Sequence, residues 1–476
     1  MSAEKLPQSP GKFGTRHVQT ILMSLSLIVG YGMRISISIA VVAMTNKNEN
    51  NGFRTYDWNF KDKGLILSAF LWGYAASQVP SGYLASTWRA SKLFSIGLFL
   101  SSLVTLSTPF LADYGGYVAV CASRVAVGLF QACFLSSIHV LTSKWAPPLE
   151  RSRISAYISS GTSLGTVLAM ALSGLIADSS VGWPGIFYIF GSAGLVTSIM
   201  FYFNVTDGPA FHPSISQAEK NYIMESLSCA EEEEKYKPRL PWKKIMTSLP
   251  MWGIIFAHMG TNWGSYTIQT EIPEYIKSVL QFGMTENGLI SSVYYIASWV
   301  LCFPYSWFAD YAVIKGMSVR VVRQICNTVA MWGAAVVLII LCFVDTLGKA
   351  WPIAMLAMAG ALTAGIICGF NVNHIDLSPN FAGAMYAISN CLSTFVSIVV
   401  PIVCSAITQD TNDPGPWHTV FYITAATYFI TNLIYVLLAQ GNTQSWNEKN
   451  IENIADPIKR LSVVSLYDTK ILASVP

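Results

Sequence analysis

Apolar windows long enough to cross roughly 30 Å of hydrocarbon recur about twelve times in this chain. They lie near 18–45, 64–86, 92–112, 116–142, 153–177 and 184–204, then 248–276, 287–309, 321–344, 350–374, 380–408 and 417–439. Lipid offers no partner to a backbone N–H or C=O, so windows of this length and texture form helices. Of the 476 residues 53% are hydrophobic and only 12% charged, a balance foreign to soluble enzymes. The net charge of +3 is too small to suggest a nucleic-acid partner. The expected fold class is an all-α polytopic membrane protein. Its first apolar run exceeds the core of a cleaved signal peptide and lacks a small-residue cleavage site. The cysteines lie in apolar segments, except Cys229 in a charged central loop, so neither a disulfide framework, a zinc site nor another cofactor is expected.

The cations give an orientation. With both termini and the central loop inside, 21 of the 29 Lys and Arg residues fall in inner segments and six in outer ones, leaving Arg34 and Arg124 in the membrane. The positive-inside rule then puts both termini in the cytoplasm. A short repeat divides the chain: Gly64-Leu65-Ile66-Leu67-Ser68 matches Gly288-Leu289-Ile290-Ser291-Ser292, and Pro80 matches Pro304 at the same offset. Parallel halves of this kind carry a substrate site between them near the midplane. The expected organisation is an N-terminal tail 1–17, a six-helix half 18–204, a cytoplasmic loop 205–247, a second six-helix half 248–439 and a tail 440–476. The loop's acidic run, Glu231 to Glu234, reads as a solvated linker. Asn204-Val205-Thr206 has the form of a glycosylation sequon but falls at a cytoplasmic helix end.

Arg34 and Arg124 have no other charge within ten residues on either side. A guanidinium at bilayer depth costs from about 2.5 to more than 10 kcal/mol, so it faces a polar cavity in preference to lipid. It stays protonated and presents a planar fork that suits carboxylate or phosphate. Neither helix offers it a nearby acid, which points to anion binding over a structural role on an internal carboxylate or on helix C-terminal carbonyls.

Several stretches resemble the anion/cation symporter branch of the major facilitator superfamily, which includes type I sodium–phosphate cotransporters, sialin and the vesicular glutamate transporters. They are Arg34 with Ala40-Val41-Val42-Ala43-Met44, Phe70-Leu71-Trp72-Gly73-Tyr74 with Gln78-Val79-Pro80, and Arg124 with Gly128-Leu129. Further on come Lys144-Trp145-Ala146-Pro147-Pro148-Leu149-Glu150-Arg151-Ser152-Arg153, Asn262-Trp263-Gly264 with Thr270-Glu271-Ile272-Pro273, and Gly369-Phe370-Asn371-Val372-Asn373-His374-Ile375-Asp376-Leu377-Ser378-Pro379. The resemblance spans about 18 to 440 and is nearer the phosphate and sialin members, chiefly for the Thr270-Glu271-Ile272-Pro273 stretch and also because the arginine that glutamate carriers hold after the helix 7 asparagine is here Gly264.

The resemblance implies twelve transmembrane helices in two halves, with Arg34 and Arg124 on the substrate. Gln131, two turns beyond Arg124, stands where many relatives carry a glutamate linked to proton coupling. Glutamine keeps the hydrogen-bonding shape and cannot titrate, which favours sodium or membrane potential as the drive. Tyr31, Tyr74, Tyr157, Asn262, Tyr266 and Ser389 could line the cavity, though aromatic residues in spans more often pack or anchor. Glu271, two residues before Pro273, could coordinate sodium or close an outer gate; otherwise it is an exposed residue near a helix end. His374, with Asn371, Asn373 and Asp376, could form an inner gate or a structural network at a helix terminus. His139 reads as structural or as a coupling group. Gly82, Arg89, Asp310 and Arg323 belong to loops that latch the halves in this superfamily.

The expected activity is secondary active anion transport by a monomer in the lipid bilayer, with sodium-coupled phosphate symport foremost. Proton- or potential-driven transport of sialate, glutamate or a urate-like anion is the alternative. A non-transporting anion sensor would need a large cytoplasmic domain, and no protease or hydrolase motif supports an enzyme. Tyr467 lacks the bulky apolar residue of a tyrosine sorting motif, which favours the plasma membrane over lysosomal or vesicular membranes.

Overall fold

A computed structural model describes residues 13–46, 53–147, 150–234, 241–344, 348–378, 381–408 and 413–447. Residues 1–12 and 448–476 of the two tails, the Glu231–Glu234 side chains and the Asp310 side chain lie outside the described set.

Among the described residues there is no strand, and long helices follow one another throughout. The first half holds α1 (Thr15–Thr45), α2 (Phe60–Thr87), α3 (90–115), α4 (117–145), α5 (Arg151–Asp178) and α6 (Gly182–Asn204). The second holds α7 (249–278), α8 (Met284–Ile314), α9 (Val319–Val344), α10 (Ala350–Leu377), α11 (Ala382–Ile407) and α12 (Pro414–Leu438). Nine helical stretches among the described residues are long and apolar enough to cross a membrane. One of them, Ala90–Trp145, contains both α3 and α4, which Gly116 separates by taking a φ of +56°. That left-handed conformation favours glycine.

Local chemistry starts and interrupts these helices where the site needs it. Asn59 caps α2 reciprocally with Asp62, each side chain accepting the other's backbone N–H. In α7 the residues Thr267–Glu271 form a π-helical turn, a distortion that often marks functional positions. In α10 a 3₁₀ segment, Ala364–Cys368, leads to a break at Gly369 before the helix resumes at Phe370.

Each half packs its own core. In the first, the Phe94 ring meets Phe134 and Phe201 at 4.5 and 4.6 Å between centroids. In the second, Tyr275 meets Phe421 at 5.2 Å and Trp417 at 5.5 Å. The halves meet along α5–α8 and α2–α11. At both crossings glycine allows backbone-level approach: a Cβ on Gly288 would overlap the Met170 carbonyl, and one on Gly64 would overlap Ser405.

Part of the central loop is helical. Its helix Gln217–Glu234 docks on the start of α1, where Glu219 accepts the backbone N–H groups of Thr15 and Arg16. Arg16, 2% exposed, also forks onto Glu150 at 2.7 and 3.1 Å and reaches Glu219 at 3.0 Å. Burial pushes the Glu219 carboxyl up, but the Arg16 and Thr15 amides and the Arg16 guanidinium outweigh that and hold it below its ordinary value.

Candidate anion-binding site

Arg34 on α1 and Arg124 on α4 converge on one aromatic ring. Gly73 and Gly128 face each other's helices so closely that a Cβ on either would overlap backbone of α4 or α2. That approach seats Phe70 with its ring centroid 4.6 Å from the Arg34 guanidinium carbon and 5.4 Å from that of Arg124. Tyr31 and Tyr74 lie 5.4 and 5.2 Å from the Arg34 carbon, so three rings surround this cation.

The two guanidiniums are held differently. Arg124, 3% exposed, donates through Nη1 to the Met33 carbonyl at 3.1 Å and through Nη2 to the Arg34 carbonyl at 2.8 Å. Arg34 donates through Nη2 to the Tyr266 hydroxyl of α7, across the boundary between halves. The Nε of each arginine is buried without a hydrogen-bond partner. Among the described residues neither arginine forms a salt bridge. Buried cations with unspent donors and no counter-charge favour an anionic ligand.

Both arginines line a narrow cleft between the halves, with Ser38, Phe70, Tyr266, Gln269 and Thr270. A neighbouring small cleft shares Ser38, Leu67 and Thr270 and adds Glu271, Lys63, Glu274 and Ser405. Glu271, at the end of the π turn, is 5% exposed and accepts a hydrogen bond from Thr270 Oγ1 at 2.8 Å. It is therefore buried in the helix bundle and not exposed at a helix end. Among the described residues, three hydrogen bonds join the halves: Arg34 to Tyr266, Lys63 to Glu274 at 3.0 Å, and Thr285 to Asp178 at 2.8 Å. Two of the three bar the end that holds Lys63.

Sequence comparison decides the family. The Major Facilitator Superfamily pattern matches residues 22–401. The chain belongs to the major facilitator superfamily. A Drosophila melanogaster protein named for inorganic phosphate cotransport is 35% identical over 93% of this chain and 88% of its own length. Human sialin is 33% identical over 93% of both chains, and human vesicular glutamate transporter 2 is 31% identical over 90% of this chain and 75% of its own. The fold of this superfamily member matches the inward-open xylose transporter XylE of E. coli with a TM-score of 0.70 at 12% identity, covering 90% of this chain and 98% of that one. An inward-facing bacterial homologue of the lysosomal transporter Spinster matches at 0.69 and 14% identity, covering 90% and 98%. The chain is thus a multi-pass membrane protein of a transporter class and not an enzyme.

Within this superfamily member the other expected residues separate by partner. Gln131 donates to the Gly30 carbonyl at 3.3 Å, tying α4 to α1. Asn262 donates to Ser393 at 2.9 Å, tying α7 to α11. Tyr157 is largely exposed, and its carbonyl accepts from Ser24. His139 is exposed on α4 and makes no hydrogen bond among the described residues. The helix 10 motif divides in two. Asn373 and Asp376 enter a structural network in which Arg323 forks onto Asp376 at 2.8 and 3.3 Å, Tyr435 donates to Asn373, and Asn373 donates to the Gln440 carbonyl. His374 instead faces Ser389 at 3.0 Å, while its Nδ1 meets the Asn371 carbonyl at 3.1 Å.

Arg89 pairs with Asp207 at the start of the central loop at 3.5 Å, and a Cβ on Gly82 would meet nothing within 4 Å. A side chain at Gly264 would overlap the buried Tyr428 hydroxyl. Sequence reasoning overlooked Phe70 as a site residue, although its motif was visible, because an aromatic in a span reads as packing. It also overlooked His258 of α7, whose Nδ1 lies 3.0 Å from Ser389; a lone histidine in an apolar run carries no signal of its partner.

Proposed function

We propose that this chain is a secondary active anion transporter working by alternating access, with sodium-coupled phosphate symport as its reaction. The observation that carries the reading is the Arg34–Arg124 pair, buried beside a cavity between the halves with unspent Nε donors and no carboxylate partner. Arriving phosphate takes Arg34 Nη2 from the neutral Tyr266 hydroxyl and gives it a charged acceptor, a stronger bond in a dry site. Glu271 and Thr270, one cavity further on, supply the oxygen ligands suited to a sodium ion carried with it. Gln131 cannot carry a proton, which also favours sodium over proton drive.

In this reading all twelve helices cross the bilayer, both termini are cytoplasmic, and Lys63 with Glu274 closes the outer side. The working unit is a monomer in the plasma membrane, since each chain carries both arginines itself. Labelled phosphate uptake into proteoliposomes, under separate sodium, proton and voltage gradients, tests it. Sodium-driven uptake that is lost in Arg34→Ala supports the reading, and no phosphate flux under any gradient refutes it.

The three rings around Arg34 favour a second reading, an organic anion with an apolar body, because phosphate has no surface to use them. Screening the same vesicles with sialate, glutamate and urate separates the two. The membrane that carries the protein, plasma or lysosomal and vesicular, is read by surface biotinylation.

A further inference from the structure

The second half contains a polar group that the anion site does not use. His258 on α7, Ser389 on α11 and His374 on the lower segment of α10 are 5%, 0% and 1% exposed. The Ser389 hydroxyl lies 3.0 Å from His258 Nδ1 and 3.0 Å from His374 Nε2. Phe370 and Tyr386 wall the cluster, with Tyr386 centred 5.6 Å from His258 and 5.5 Å from His374, and Phe370 5.1 Å from His258. Three buried polar side chains from three helices, hydrogen-bonded through one hydroxyl, are suited to handling a proton.

Donor accounting fixes where that proton goes. The Asn371 carbonyl can only accept, so His374 Nδ1 carries a hydrogen and, in the neutral ring, Nε2 is an acceptor. Ser389 then donates to Nε2 and accepts from His258 Nδ1–H. The same hydroxyl also lies 3.0 Å from the Tyr386 carbonyl, a second acceptor that is superfluous while His374 is neutral. If Nε2 takes a proton from water, the Ser389 hydrogen turns to the Tyr386 carbonyl and both imidazole N–H groups donate to its oxygen. Every polar atom at Ser389 is satisfied in both states, and the site gains one positive charge.

We propose that His374 is a proton-binding site of this carrier, with Ser389 and His258 as positioning residues that accommodate both protonation states. The surrounding charged and titratable groups leave that role to His374. On α10, Asp376 is held by Arg323 of α9; on α12, Tyr435 donates to Asn373; on α11, Tyr386 presents its ring; on α7, His258 faces Ser389. Among the described residues no carboxylate touches either imidazole. A protonated His374 puts a cation in the half opposite Arg34, so transport acquires a pH dependence that neither Arg34 nor Gln131 can supply.

The full chain, labelled with ¹⁵N-histidine in nanodiscs, tests this without any substrate, so the result is independent of the phosphate reading. Only six histidines contribute: His17, His139, His212, His258, His374 and His418. The expected result is one Nδ1–H tautomer at alkaline pH that becomes doubly protonated on acidification. That signal is absent in His374→Gln. Ser389→Ala, which removes the hydroxyl that serves both states, moves the midpoint by about one pH unit, and Ser389→Thr restores it. In the same vesicles the acid limb of the uptake profile follows the midpoint. A wild-type His374 that stays neutral throughout, or a Ser389→Ala midpoint equal to wild type, overturns the proposal.

Discussion

Arg124 is anchored on the main chain of Arg34, its Nη2 lying 2.8 Å from that residue's own carbonyl oxygen. The second arginine therefore sets the position of the first as well as adding charge. Lysine in its place keeps the charge and loses the fork that spans the Met33 and Arg34 carbonyls. A hydrogen bond from a charged group contributes about 1.5–3 kcal/mol, so Arg124→Lys is expected to lower transport efficiency by roughly ten- to a hundredfold. Wild-type kinetics in that variant would show that only the charge matters.

Tyr266 occupies an Arg34 donor, which in the proposed reading the anion takes over. Tyr266→Phe keeps the ring and removes the competitor. Anion affinity, measured by calorimetry or a thermal-shift titration, is expected to tighten by about two- to tenfold, corresponding to 0.5–1.5 kcal/mol for a neutral hydrogen bond. Weaker binding would instead make Tyr266 a substrate ligand.

Glu271 is a buried carboxylate that accepts from Thr270 and forms no salt bridge among the described residues. Glu271→Gln preserves shape and removes charge. The expected outcome is loss of sodium stimulation with anion binding retained, read by comparing flux at varied sodium with equilibrium binding. Undiminished sodium dependence would place the cation elsewhere.

Gly288 sits against the Met170 carbonyl and the Gly174 backbone, and in the proposed reading that crossing lets the Lys63 end close. Gly288→Leu overpacks that crossing by about 1–3 kcal/mol. A Lys63→Cys/Glu274→Cys pair reports closure through cross-linking, since the native side chains meet at 3.0 Å. Cross-linking is expected to fall severalfold when leucine is added, and an unchanged yield would refute this account of the gate.

The loop helix is held by a carboxylate whose folded pKa is depressed. Its contribution is present in full above the ordinary glutamate pKa of about 4.3 and is lost as the pH falls through the lower folded value. Glu219→Gln lacks that acid-dependent part and is expected to lose about 2 kcal/mol at neutral pH. Protease sensitivity of the loop followed against pH checks both statements: wild type should loosen on acidification and the variant should already be loose.

The repeat that pairs Gly64 with Gly288 was visible as residues, and both prove to lie at crossings between the halves, on α2–α11 and α8–α5. Arg34 and Arg124 were equally legible, because a charge in an apolar window stands out against every neighbour. Phe70, His258 and the Arg16–Glu219 clamp were not, since their roles arise from partners far away in the chain.

Hydrophobic length, the positions of the cations and the rarity of membrane charge were enough to determine from the chain alone an all-helical membrane protein with a buried arginine pair. Those properties are local: each follows from whether a residue or window tolerates hydrocarbon. Only the tertiary structure decided that Arg124 hangs on Arg34, that Arg34 meets Tyr266 across the halves, and that His374 leaves its own motif for Ser389. Hydrogen-bond partners depend on which helix faces are brought within about 3 Å, and no one-dimensional pattern carries that distance.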